Sequence, residues 1–164
     1  VSENAARAVA LAEELVARCR AKGLRLSTAE SCTGGLIAGA ITAIPGASEI
    51  FDYGFVTYSN AAKTEMLGVA AGLIDAVGAV SEAVARRMAA GAKRRSGADL
   101  AVSVTGIAGP GGGSPGKPVG TVWFGCASPH GVLTRHRHFA GDRDAIRAAS
   151  VVFALHLLLD GISE

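Results

Sequence analysis

The chain is expected to fold as an α/β protein, a three-layer α/β/α sandwich around a mixed sheet. Three observations point there. Short runs rich in β-branched residues alternate with stretches whose apolar residues recur at i, i+3 and i+4. Two late strands are joined by only Pro129-His130-Gly131, a hairpin-length connection that adds antiparallel pairing. Glycine is abundant (22 residues) while aromatics make up 5%, a balance that lets helices approach a sheet closely.

Each element follows from its own pattern. Asn4 to Arg20 carries Ala5, Ala8, Val9, Ala12, Leu15, Val16 and Cys19 at helical spacing, with Gly23 as a stop. Leu24 to Thr28 is a short strand. Gly35 to Ile44 is a helix of small residues closed by Pro45-Gly46, and Ala47-Ser48-Glu49 is a loop or short helical turn. Phe51 to Tyr58 is aromatic and β-branched and reads as a strand. Ser59-Asn60 then occupies the N-cap of a helix over Ala61 to Leu67, with Gly68 as its C′ residue. Gly68 to Ala79 is weakly patterned. Ser81 caps a helix to about Arg95, ended by Ser96-Gly97, and Asp99 to Val104 is a buried strand ending at Thr105-Gly106. After the glycine-rich segment Gly106 to Gly120 come the strands Val119–Ser128 and Val132–Phe139. Asp142 opens a last helix that runs to about Asp160.

Length and composition narrow the field. A chain of 164 residues, 49% of them apolar and 18% charged, is expected to be one domain over residues 1–164 with a sizeable core. No uninterrupted apolar run reaches the length of a membrane span, and Glu3, Arg7, Glu13 and Glu14 stand where a signal peptide would be apolar, so a cytoplasmic protein without a membrane partner is expected. Net charge is +2, and the basic clusters at Arg86-Arg87, Lys93-Arg94-Arg95 and Arg135 to Arg137 lack interleaved aromatics, which argues against nucleic acid. Cys19, Cys32 and Cys126 fit neither a disulfide framework nor a zinc site.

The stretch Leu26 to Ala38, LSTAESCTGGLIA, is chemically the densest part of the chain. Glu30, Ser31, Cys32 and Thr33 in a row are poor packing residues. A helix starting at about Thr33 would aim its free N–H groups and positive dipole end at Ser31 and Cys32, a place for a nucleophile or an anion. An ordinary N-cap between strand and helix explains the same residues. Lys63, in the first turn of its helix, opposes the dipole there and so holds its proton less tightly, which suits a general base; a solvent-facing lysine is the plain alternative.

The segment GIAGPGGGSPGKPVG matches two phosphate-loop patterns and fails both on context. Gly111 to Lys117 fits G-x-x-x-x-G-K, but Pro118 replaces the Mg²⁺-binding hydroxyl. Gly111, Gly113 and Gly116 fit G-x-G-x-x-G, but a strand follows where a helix is needed. What survives is a loop that a ligand can approach closely. His130, His136, His138 and His156 form no metal-ligand pattern, since His136 and His138 have no acidic or cysteine partner near them in sequence. The remaining polar residues cluster at element ends: Ser31, Thr33, Ser48, Tyr58-Ser59-Asn60, Lys63, Thr105 and Asp142-Arg143. Strand ends on one edge of an α/β sheet line its ligand crevice. A serine with lysine and tyrosine but no suitable histidine fits hydroxyl attack with lysine as base.

The segments AESCTGGLI, IPGAS, YGFVTYSNAAKTEMLGV, VSEAVARRMA, VTGIAGPGGGSPGKPVGTVW and FAGDRDAIR, in that order over nearly the whole chain, resemble the CinA C-terminal domain, the nicotinamide-nucleotide amidase family. The resemblance implies hydrolysis of the carboxamide of nicotinamide mononucleotide, without a metal or other cofactor. It carries the nucleophile to Ser31 and its activating partners to Tyr58 and Lys63, leaving open which of the two is the base. Substrate contacts fall to Thr33, Gly34, Ser48, Thr105, Gly106, Ala108 and Gly109, and a phosphate contact to Arg143 or Arg147. The expected partner is a small-molecule nucleotide, in a homo-oligomer (dimer or higher). A non-catalytic nucleotide-sensing module, or an interaction domain of the competence and damage-linked kind, is the alternative.

Overall fold

The computed structural model describes residues 2–163. Helix α1 (Glu3–Lys22) begins at Ser2, whose hydroxyl accepts from the Ala5 amide, and ends at Gly23 in the left-handed region. Strand β1 (Leu26–Glu30) follows, then helix α2 (Leu36–Thr42), a 3-10 turn (Ala47–Glu49) and strand β2 (Phe51–Val56). Helices α3 (Asn60–Leu67), α4 (Ala71–Val77) and α5 (Glu82–Ser96) precede strand β3 (Leu100–Gly106). Strands β4 (Thr121–Ser128) and β5 (Gly131–His138) form the hairpin, and helix α6 (Arg143–Ser163) closes the chain.

The five strands lie in the order β2-β1-β3-β4-β5. The first three are mutually parallel, whereas β4 and β5 run antiparallel. The α/β expectation with a mixed sheet therefore holds. Most element boundaries shift by one to three residues, and three differences bear on the site or the layers. β1 continues to Glu30, two residues past Thr28, because it stays paired with β2 and β3 through that residue. β2 stops at Val56, short of Tyr58, although the Thr57 amide still donates to the Glu30 carbonyl (2.9 Å). The weakly patterned segment holds α4, a seven-residue helix that buries only Ile74 and so shows little periodicity.

Alternation along the strands gives the sheet two apolar faces. Leu26, Leu100, Val102, Val104, Val122 and Phe124 meet α1, α2 and α6 on one side. Ala29, Ala101 and Ala127 meet α3, α4 and α5 on the other. The alanines there are small because α5 lies hard against the sheet: a Cβ on Gly125 would stand 2.6 Å from the Ala85 carbonyl oxygen. Helix α6 is long and apolar enough to span a membrane, yet 56% of its most apolar stretch is buried inside the protein, as a core helix should be.

Candidate active site

Because β1, β2 and β3 are parallel, their C-terminal ends share one edge of the sheet, the usual place for a ligand crevice in such folds. β1 delivers Ser31 there, β2 delivers Thr57 and Tyr58, and β3 delivers Thr105 and Gly106. A cavity of about 310 Å³ opens at this edge, with Ser31, Tyr58, Lys63, Thr105, Gly109 and Arg143 in its wall.

Ser31 stands on a tight elbow. Its amide donates to the Val104 carbonyl (3.0 Å), extending the β1–β3 pairing, and its own carbonyl accepts from the Gly34 amide (3.1 Å). Gly34 (φ 58°) and Gly35 (φ 105°) then turn the chain through two consecutive left-handed conformations, which side chains other than glycine disfavour. Helix α2 starts only at Leu36, with no side-chain N-cap. The expectation of a helix from about Thr33, with its open end facing Ser31, is thereby corrected. Glu30, fully buried, closes that end: its carboxylate accepts from the amides of Ile37 (2.8 Å) and Ala38 (3.0 Å) and from the Thr33 hydroxyl (2.7 Å). A buried carboxylate at a helix N-terminus is favoured by both the free N–H groups and the dipole.

Lys63 is the largest of the fully buried side chains, at 1% exposure. Helix α3 holds it in its first turn, capped by Ser59, whose hydroxyl accepts from the Ala62 amide. Lys63 Nζ lies 3.0 Å from Ser31 Oγ, 2.9 Å from the Thr57 carbonyl oxygen and 3.4 Å from that of Tyr58. Burial lowers its pKa from the ordinary 10.5. A neutral amine has two hydrogens and one lone pair. In that form the two carbonyls, which can only accept, would take the hydrogens and leave the lone pair to the Ser31 hydroxyl; in the ammonium form Lys63 donates to all three oxygens. Cys32 next door is different, because burial pushes its thiol up to about 11. It stays protonated at neutral pH.

The other expected site residues divide sharply. Thr105 Oγ1 donates to the Ala79 carbonyl (2.9 Å), pinning the segment before α5 to the cavity wall. Gly106, Ala108 and Gly109 line the same cavity. Arg143, at the start of α6, donates to the Gly109 carbonyl (2.8 Å) and to the Tyr58 phenol oxygen (3.1 Å). Tyr58 thus meets Lys63 through its backbone, and its phenol is turned to Arg143. Arg147, one turn on, faces the elbow and donates to the carbonyls of Cys32 (3.0 Å) and Thr33 (3.4 Å). Of the two arginines, Arg143 lines the cavity and Arg147 does not. Thr33 and Gly34 do not line the cavity: the Thr33 hydroxyl is spent on Glu30, and Gly34 serves the turn. Ser48 is exposed beside a separate depression lined by Thr42, Pro45 and Phe51, on the far side of α2.

Two contributors were not anticipated. Glu30 reads in sequence as one more polar residue of the knot, and its distance of seven positions from Ile37 matches no capping spacing. The carbonyl of Thr57 carries no side-chain signal at all. Among the described residues no three His, Cys, Asp or Glu side chains gather as a metal-holding group. His136 packs its ring on Trp123 at 4.8 Å, and His138 Nε2 lies 3.1 Å from the Val119 carbonyl oxygen.

Comparison with known proteins gives consistent results. Residues 8–162 match the CinA C-terminal domain family. A protein of Enterobacter agglomerans named nicotinamide-nucleotide amidohydrolase PncC is 57% identical over 150 residues, covering 91% of this chain and 92% of its own. A CinA-like protein of Anaeromyxobacter dehalogenans is 53% identical over 148 residues, which make up 90% of this chain but only 36% of that longer protein. The crystal structure of the competence/damage inducible protein CihA from Agrobacterium tumefaciens superposes with a TM-score of 0.93 at 48% identity, covering 96% of each chain.

Proposed function

This chain belongs to the CinA C-terminal domain family, and on that premise we propose that it is a nicotinamide-nucleotide amidase, converting nicotinamide mononucleotide and water to nicotinate mononucleotide and ammonia. The relatives of matching length are named for that reaction. The observation that carries the mechanism is the buried Lys63 amine 3.0 Å from Ser31 Oγ.

Ser31 Oγ attacks the carboxamide carbon while its proton passes to Lys63 Nζ. The tetrahedral intermediate carries a negative oxygen. Cys32, Ala108, Gly109, Gly111 and Gly112 line the cavity, and none of their amides donates to a backbone carbonyl among the described residues, so the donors to that oxyanion come from this set; one such donor is worth roughly 3 kcal/mol. The α2 amides do not serve, since Glu30 holds them. The C–N bond breaks as Lys63 returns the proton to the departing nitrogen, giving ammonia and an ester on Ser31. Water then attacks the ester, giving one proton to Lys63, which passes it to Ser31 as the carboxylic acid leaves and ionises, its proton taken up by the released ammonia. The Thr57 and Tyr58 carbonyls solvate the transient ammonium. Arg143, at the mouth, binds the phosphate by charge-assisted hydrogen bonds.

The decisive measurement is ammonia release from the mononucleotide by purified protein, with and without chelator. Equal release in both, absent in Ser31→Ala, is the expected result. No release by the wild type, or undiminished release by Ser31→Ala, overturns the mechanism.

A further inference from the structure

The cavity beside Ser31 and Lys63 has a wall whose use the amidase chemistry leaves open. Tyr58 is its one aromatic lining residue and is 62% exposed. Exposed aromatic side chains are ordinarily mobile, yet this one is tethered. Arg143 holds its phenol oxygen and is itself anchored on the Gly109 carbonyl. The tether engages the oxygen only. Among the described residues no ring stacks on Tyr58 and no cation lies over it.

The charge of the cavity is the second observation. A pyridine ring that carries a ribose on its nitrogen is a cation. Among the described residues no carboxylate lines the cavity to meet that charge. Glu30, next in sequence to Ser31, has both carboxylate oxygens committed to three donors on the other side of the elbow. A pyridinium ring entering here finds the buried Lys63, the Arg143 guanidinium held on the Tyr58 phenol oxygen, apolar Val80 and Ile107, and one π-face.

We propose that the tethered ring of Tyr58 is the seat of the substrate's cationic pyridinium ring, so that Tyr58 is a specificity-determining residue that favours N-ribosylated over neutral rings. The inference rests on the amidase reading given above. An aromatic face attracts a cation through its quadrupole and needs no counter-ion. It also avoids a cost that a carboxylate would impose, since a negative group in this cavity would stabilise the protonated form of Lys63 and remove the base. Tyr58 then acts through its ring, and its hydroxyl serves to orient that ring through Arg143.

The test uses Ser31→Ala, which keeps the substrate intact, and compares two ligands by calorimetry. One is the mononucleotide; the other is its dihydropyridine form, in which the ring is neutral while carboxamide, ribose and phosphate are unchanged. The charged form should bind about tenfold more tightly. Adding Tyr58→Leu should bring the two affinities within about twofold, whereas Tyr58→Phe, which keeps the aromatic face but not the tether, should keep a reduced preference of roughly fivefold. Far-UV circular dichroism checks that both variants remain folded. A preference that survives Tyr58→Leu, or that is lost in Tyr58→Phe, overturns the assignment of the ring. Equal binding of the two forms by the Ser31→Ala protein also overturns it while leaving the amidase reading standing. If neither ligand binds, the amidase reading itself fails and takes this inference with it.

Discussion

The Glu30 carboxylate and the Ile37 amide meet at 2.8 Å across the turn that presents Ser31. The pair fixes where helix α2 begins, and with it the two glycines that fold the chain back. Replacing Glu30 by alanine strands the buried Ile37 amide, the partly buried Ala38 amide and the Thr33 hydroxyl. The expected loss is roughly 3 kcal/mol, read from urea unfolding. Glu30→Gln keeps one acceptor oxygen and should lose about half as much. Equal stability of all three proteins would show that water replaces the carboxylate at no cost.

Burial lowers the Lys63 pKa from 10.5, and the proposed mechanism uses its neutral amine. The active form is the deprotonated one, so kcat/KM should rise with pH along a limb that lies below 10.5. Lys63→Arg keeps a cation that cannot deprotonate in this range and should cost about a thousandfold in kcat. The same shift has a stability consequence. Between the lowered folded pKa and 10.5 the unfolded chain binds the extra proton, so stability rises with pH through that window. Measured against Lys63→Met, the wild type should therefore gain stability as pH is raised toward 10.5. A pH-independent difference contradicts the lowered pKa.

Ser31 and Cys32 are neighbours with opposite prospects as nucleophiles. Burial holds the Cys32 thiol up at about 11, so its thiolate is scarce at neutral pH. Cys32→Ala should retain activity within severalfold, and iodoacetamide should inactivate the enzyme slowly. Ser31→Ala should lose roughly a thousandfold or more. The reverse pattern in steady-state ammonia release would transfer the nucleophile to sulfur.

Arg143 and Arg147 sit one helical turn apart and should separate kinetically. Arg143→Ala is expected to raise KM for the mononucleotide about tenfold or more, while changing turnover of the riboside little. Arg147→Ala removes donors from the Cys32 and Thr33 carbonyls. It should cost about 1 kcal/mol in stability and lower kcat with little change in KM. An Arg147→Ala protein with a raised KM alone would move the phosphate to that side chain.

The fold was largely legible because its signals are local. Helical spacing, the Ser59 and Ser81 caps and the short hairpin connection all sit within a few residues of what they specify. Helix α4 was not legible, since seven residues burying one isoleucine leave no period to detect. Of the site residues expected from sequence, Ser31, Tyr58, Lys63, Thr105 and Arg143 line one cavity, while Ser48, Thr33 and Arg147 lie outside it. Which way a side chain points at an element end is decided by turns and neighbours, and the residue type does not carry it. Glu30 illustrates the limit. It is a strand residue that caps the following helix across an intervening loop, and its role exists only once Gly34 and Gly35 have folded the chain back on itself.

The division of the sheet into parallel and antiparallel parts has a practical side. Ser31, Thr57 and Thr105 follow or end the three parallel strands, while the β4–β5 turn at Pro129-His130 lies beyond the opposite ends of those strands, beside the start of β3. That turn is therefore a natural attachment point for engineering. A reporter peptide or a surface anchor inserted between Pro129 and His130 would sit the full length of a strand away from the chemistry, leaving the catalytic edge free to face solution on a sensor or a solid support.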